Sequence, residues 1–123
     1  MMASIEIKYA EIWRVNFEPQ VGSEIAKIRP ALVISNNLFN QKQELCFILP
    51  LTSWQDKFND RVWMLKLNKD NKNGLDRDSA INCSQIKSFS KKRFLQKLGV
   101  VENDVILQAR LILNEIMDSS FND

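Results

Sequence analysis

Histidine is absent from the 123 residues. That excludes imidazole as general acid, general base or metal ligand, and with it every Ser–His or Cys–His nucleophile and the paired-histidine route to RNA cleavage. Cysteine is scarce. Cys46 and Cys83 lie in separate apolar runs with no further Cys or His at metal-ligand spacing, so they read as buried, reduced thiols packing as small hydrophobes. No apolar run approaches the ~18 residues that a membrane-spanning helix needs. The N-terminal stretch has Glu6 inside it and no long apolar core, so it does not read as a signal peptide, and a cytoplasmic location is the default expectation. Charge of one sign is also lacking. The 17 basic and 15 acidic residues leave a net charge of +2, so any nucleic-acid site must come from local clusters such as Lys27 with Arg29, or Lys87 with Lys91, Lys92 and Arg93.

What is present is an ordinary globular balance, 45% hydrophobic and 26% charged, in a length that fits one domain. Tyr9 to Phe17 alternates, with Trp13, Val15 and Phe17 on one face and Ile12, Arg14 and Asn16 on the other, which predicts a half-buried strand. Ala31 to Ser35 is short, apolar and uncharged, as a strand buried on both faces would be. Asn36 to Asn40 reads as a turn or short helical piece. Further strands are expected over Gln43 to Leu51, closed by Pro50, over Arg61 to Leu67, and over Ser79 to Ile86. The polar stretch from Asn68 to Gly74 ends in Asn-Gly, which favours positive φ and a hairpin. Ser90 and Gly99 bracket an expected short helix, Lys91 to Leu98. Asn103 or Asp104 then caps a last helix in which Val105, Ile106, Ala109, Ile112, Leu113 and Ile116 recur at helical spacing. The tail from Asp118 is polar apart from Phe121 and is expected to fray. About five strands and a C-terminal helix make a small α+β domain on a curled antiparallel sheet or barrel.

Between the first two strands runs Gly22-Ser-Glu-Ile-Ala-Lys-Ile-Arg-Pro30. Gly22 permits a turn that a Cβ would resist, and Pro30 biases Arg29 toward an extended conformation, placing its guanidinium where loop becomes sheet. Thr52 lies at the end of a strand as Arg29 lies at the start of one, and antiparallel neighbours would bring such ends together. The plain alternatives are an Arg29–Glu24 ion pair and a Thr52 hydroxyl that caps a turn.

The ordered features resemble the MazF/PemK toxins of bacterial toxin–antitoxin modules. The resemblance rests on Glu11-Ile-Trp-Arg-Val-Asn-Phe17 with Pro19, Val21-Gly-Ser-Glu24, Arg29-Pro30, Ala31-Leu-Val-Ile-Ser-Asn36, Pro50-Leu-Thr-Ser53, Gly74-Leu75, Asp78-Ser79, Gln85-Ile86 and Lys92-Arg93-Phe94. These run in the family's order from about Glu11 to Gly99. The chain departs from the family at Ala10-Glu11, where Gly-Asp is common, and at Asn82 and Ser84, where basic and acidic residues occur. The first departure concerns a turn, and the second bears on any carboxylate role at that strand.

The resemblance implies an SH3-like barrel of the type shared with the CcdB gyrase poisons. It further implies a sequence-specific, metal-independent endoribonuclease that cleaves single-stranded RNA by 2′-OH attack, leaving a 2′,3′-cyclic phosphate and a 5′-OH. No cofactor and no metal is expected. Such a toxin acts as a homodimer and is silenced by an antitoxin peptide laid across the RNA groove. Arg29 is the expected stabiliser of charge on the phosphorane, as a planar fork matched to phosphate oxygens, while its pKa above ~12 unfits it as a base. Thr52 is expected to donate to a phosphate oxygen, and Glu24 is the local carboxylate candidate for the base. Ser23, Asn36 and Gln85 are candidate readers of base edges, Lys27 and Ser53 further RNA contacts, and Trp54 a stacking platform. Asp76-x-Asp78 reads as turn chemistry rather than a divalent-ion site. The rival functions are a non-enzymatic gyrase-binding poison and an inactive nucleic-acid-binding module.

Overall fold

A computed structural model describes residues 5–24 and 27–122. Ile25 and Ala26 of the Gly22–Pro30 loop, the first four residues and Asp123 lie outside the described residues. The elements in chain order are β1 (Glu11–Asn16), β2 (Ile28–Val33), α1 (Asn37–Lys42), β3 (Leu45–Ser53), β4 (Met64–Leu67), β5 (Ser79–Asn82), β6 (Lys87–Ser90), β7 (Phe94–Val100) and α2 (Asn103–Ile116). All strand pairs are antiparallel, in the order β4-β5-β3-β2-β1-β7, with β6 added to the first half of β3. The expected small α+β fold is thus realised as a bent, open seven-stranded sheet with a C-terminal helix.

β3 is the hub. Its first residues pair with β6, its middle with β2, and Leu51 to Ser53 with β5. Expecting it to close at Pro50 was a misreading, because the strand runs on to Ser53. Alternation along β1 and β2 divides the core in two. Trp13, Val15, Phe17, Ala31 and Val33 pack with Cys46, Ile48 and Phe94 on one side. Ile12 and Leu32 join Leu49, Leu51 and Ile81 on the other, where Ile106, Ala109 and Leu113 of α2 close the layer. Both cysteines are buried and free, and burial pushes the Cys83 thiol up to about 11, which keeps it protonated and inert.

The 91–98 helix is not formed. Ser90 does accept from the Lys92 N–H at 3.1 Å, but it caps only a single turn of 3-10 helix over Lys91–Arg93. From Phe94, which is buried, the chain pairs with β1 instead. Ser79 to Ile86 is likewise interrupted by a 3-10 turn at Cys83–Gln85, with Asn82 capping it through Ser84 N–H at 3.0 Å. The 61–67 strand shortens to Met64–Leu67. The last helix starts at Asn103 with Glu102, not Asn103 or Asp104, at the cap position and no side-chain cap bond, while Asn103 Oδ1 accepts from the Tyr9 hydroxyl at 2.5 Å. The tail carries a short turn over Ser119–Phe121, capped by Asp118.

Two features at the start of β1 follow from the Ala10-Glu11 departure. Ala10 takes φ +69 in a turn that glycine would make without strain. Glu11 is buried, and burial alone would raise its pKa. Three donors outweigh that and hold the carboxyl below its ordinary value: Lys97 Nζ at 2.8 Å, Trp13 Nε1 at 3.0 Å and the Lys8 N–H at 2.7 Å. The departure therefore pins β1 to β7.

Candidate active site

The register of β2 against β3 pairs Ala31 with Pro50. Arg29 lies two residues before that pair on β2 and Thr52 two residues after it on β3, where Thr52 pairs with Ala80 of β5. Both residues are half-buried, and both line one groove of about 460 Å³. The two residues named from the sequence thus border the same groove. Beyond Leu51, β3 turns to pair with β5, so Ser53 faces Ser79 and the sheet opens at this end rather than continuing the ladder.

Arg29 lies inside β2, its backbone fixed by pairing with Val15 and by the following proline. The neck of the preceding loop is clamped. Phe17 N–H donates to Lys27 O at 2.8 Å, Lys27 N–H donates to Glu18 Oε1 at 2.7 Å, and Arg93 donates to the Asn16 and Glu18 carbonyls. Gly22 and Lys27 both take positive φ, +59 and +69. Arg93, which also lies over the Phe89 ring at 4.4 Å, thus holds the neck of the loop.

The first plain alternative, an Arg29–Glu24 pair, does not form. Glu24 is bonded instead to Lys87 Nζ at 2.9 Å, and that ammonium holds its carboxyl below the ordinary range, which weakens it as a base. Among the described residues, no ion pair or side-chain hydrogen bond engages Arg29, and none engages the Thr52 or Ser53 hydroxyl. The second plain alternative, a Thr52 hydroxyl spent on a turn, is not what the structure shows.

Other expected contacts fall elsewhere. Asn36 Oδ1 accepts the Phe39 N–H at 2.8 Å as the cap of α1, and Asn36 does not line the groove. Trp54 packs edge-on against Phe58 at 5.7 Å with Lys66 over its face at 5.0 Å, so its ring is engaged. Ser23 and Lys27 are exposed on the loop, and Gln85 is half-buried in the 3-10 turn after β5. None of these five lines the groove, whereas Ser53 does.

Three charged residues join the groove that the sequence did not assign to it: Arg14, Asp76 and Arg77. Arg14 pairs in register with Pro30, next to Arg29. Its signal was in the sequence, as a cation out of phase with buried Trp13 and Val15. Asp76 and Arg77 sit on the 68–78 loop, whose fold depends on a packing contact the sequence does not display. Gly74, at φ +68, lies so close to Leu98 O that any Cβ would collide with it, and a Cβ at Gly99 would collide with Lys72 O. Asn73, only 1% exposed, fixes the loop from inside by donating to Asn68 O at 2.9 Å and accepting the Leu75 N–H at 3.0 Å. Asp78 is spent on the turn, accepting the Lys69 N–H at 2.9 Å, as expected of turn chemistry.

The result is a groove with three guanidiniums, three hydroxyls, of which that of Ser79 donates to Arg77 O at 3.0 Å, and one carboxylate, none of them ion-paired among the described residues. Unsatisfied forked donors of this kind match a polyanion with tetrahedral oxygens.

Comparison with known proteins gives the same direction. A model of the PemK-like, MazF-like toxins of type II toxin–antitoxin systems matches residues 8–117. The endoribonuclease toxin MazF of Escherichia coli K12 is 29% identical over 107 residues, 86% of this chain and 88% of that protein. The endoribonuclease EndoA of Bacillus subtilis 168 is 27% identical over 100 residues, 81% and 84% of the two chains. The crystal structure of MazF from Deinococcus radiodurans superposes with a TM-score of 0.79 at 23% identity, covering 93% of this chain and 98% of that one. A MazE–MazF complex from the same organism gives 0.72 at 21%, covering 92% and 97%. Those two structures speak to the fold. With the family model spanning nearly the whole chain, the protein belongs to the PemK-like, MazF-like toxins of type II toxin–antitoxin systems.

Proposed function

We propose that this toxin is a metal-independent endoribonuclease that cleaves single-stranded RNA by attack of a 2′-hydroxyl on the adjacent phosphate. The observation that carries this reading is that Arg29 and Thr52 line one groove, with no ion pair or side-chain hydrogen bond to either among the described residues. In the transition state a dianionic phosphorane needs fixed positive charge and hydrogen-bond donors. Arg29 supplies the first and the Thr52 hydroxyl the second, without reorganisation. The relatives that carry names are endoribonucleases, which supports the reading over a gyrase-binding poison. A gyrase poison would also have no use for unpartnered phosphate donors.

The same proposal includes an antitoxin partner and a homodimer. The first is supported by the structures of MazF with MazE and of an endoribonuclease with its cognate antitoxin. The second is supported by the exposed apolar residues Leu107 and Leu111 of α2 and Met117 just after it.

Incubation of the purified toxin with long single-stranded RNA in excess EDTA tests the reading. Cleavage is expected, with 5′-hydroxyl and 2′,3′-cyclic phosphate ends. Intact RNA at every protein concentration would overturn it, as would 5′-phosphate ends.

Arg14 and Arg77 give the groove binding charge beyond the scissile phosphate. Each, replaced by alanine, is expected to weaken RNA binding and to flatten the slope of log affinity against log salt by about 0.7, the counterion release of one single-strand phosphate contact. An unchanged slope in both variants would remove them from the RNA path.

A further inference from the structure

We propose that Asp76 accepts the 2′-hydroxyl proton in the cleavage reaction described above, an inference that rests on that reading. The reaction requires a proton acceptor, and the groove contains few. Guanidiniums stay protonated at any working pH, and serine and threonine hydroxyls are too weakly basic. Glu24 is tied to Lys87 at 2.9 Å and does not line the groove. Asp76 is the one carboxylate among the described groove residues. It is exposed, and within the described residues it has neither an ion pair nor a hydrogen bond, in contrast to Asp78 two residues on.

Its position is fixed from both sides. Before it, Leu75 is buried and its N–H is held by Asn73 Oδ1 at 3.0 Å. After it, Asp78 O accepts the Trp54 N–H at 3.0 Å, and Ser79 opens β5 in register with Ser53. The bend carrying Asp76 is thus stitched to the strand end that carries Thr52. A carboxylate on a short side chain, anchored in this way and left unpaired, is suited to moving a proton. Arg14, Arg29 and Arg77, which line the same groove, offset the repulsion between this carboxylate and the substrate phosphate.

The step balances as follows. Asp76 takes the proton of the 2′-O–H while the 2′-oxygen forms a bond to phosphorus. The P–O5′ bond breaks, and the departing 5′-oxygen takes a proton from a water molecule that recovers one from the protonated Asp76. The products are the cyclic phosphate and a 5′-hydroxyl, and the carboxylate is restored.

The test uses the full chain in EDTA, with Asp76→Asn, Asp76→Glu and Glu24→Gln beside the wild type. Single-turnover cleavage at saturating RNA is expected to fall by ~10²- to 10⁴-fold in Asp76→Asn, the usual loss of a general base. Binding of the same oligonucleotide with 2′-deoxy substitution, which cannot be cut, should stay within about twofold, and Asp76→Glu should recover part of the rate. Cleavage by Asp76→Asn at the wild-type rate would overturn the proposal. So would a loss that merely follows weakened binding, or a comparable loss in Glu24→Gln with Asp76→Asn active. An inactive wild type would instead overturn the endoribonuclease reading itself, so the two failures are distinct.

Discussion

Replacing Arg29 by alanine is expected to slow RNA cleavage by ~10²- to 10³-fold, about 3–4 kcal/mol of barrier, the scale for removing one preorganised donor from developing charge. The loss should appear in the rate at saturating RNA rather than in affinity alone, because the interaction strengthens as the phosphorane forms. Stability should change little, since the guanidinium has no ion pair among the described residues to lose. Arg29→Lys should fall between, keeping the charge and losing the planar fork. A wild-type rate in Arg29→Ala, measured by single-turnover cleavage, would refute the assigned role.

A large loss of stability is expected at Gly99. A Cβ there would be driven into the backbone of Lys72 and Asn73, which is the inner wall of the 68–78 loop. Neither wall is a flexible side-chain end, so one of the two segments must shift. Gly99→Ala should therefore cost about 3 kcal/mol, as overpacking of a well-packed site does, and lower the melting temperature by on the order of 10 °C. Because the displaced loop carries Asp76 and Arg77, cleavage should fall as well, even at temperatures where the variant is folded. Thermal denaturation and a cleavage assay on one preparation check both. A variant as stable and as active as wild type would mean that the loop and β7 are not coupled in this way.

Much of this was legible from residue order. Trp13, Val15 and Phe17 announce a buried face by strict alternation, and they pack into one cluster. The repeat of Ile106, Ala109 and Leu113 announces α2, whose buried residues are those three. Arg29 and Thr52 could be matched because prolines and strand ends bracket both. The missed elements were decided by contacts distant in sequence. Ser90 and Gly99 are real local helix signals, yet Phe94 is worth more buried beside Trp13 at 5.9 Å, and pairing with β1 overrides the local preference. Trp54 looked available for a base because nothing in the sequence reveals Phe58 and Lys66 closing on its ring. Asp76 and Arg77 reach the groove through the contact of Gly74 with Leu98, residues far apart in the chain, and no periodicity encodes that contact.

The central claim is that Arg29 and Thr52 act on one phosphate, and a double-mutant cycle measures that directly. Single-turnover cleavage in EDTA is compared for wild type, Arg29→Ala, Thr52→Ala and the double variant. If the two groups hold the same phosphorane, the losses are non-additive, and the double variant is little slower than Arg29→Ala. Losses that simply multiply would show two independent effects and contradict the account.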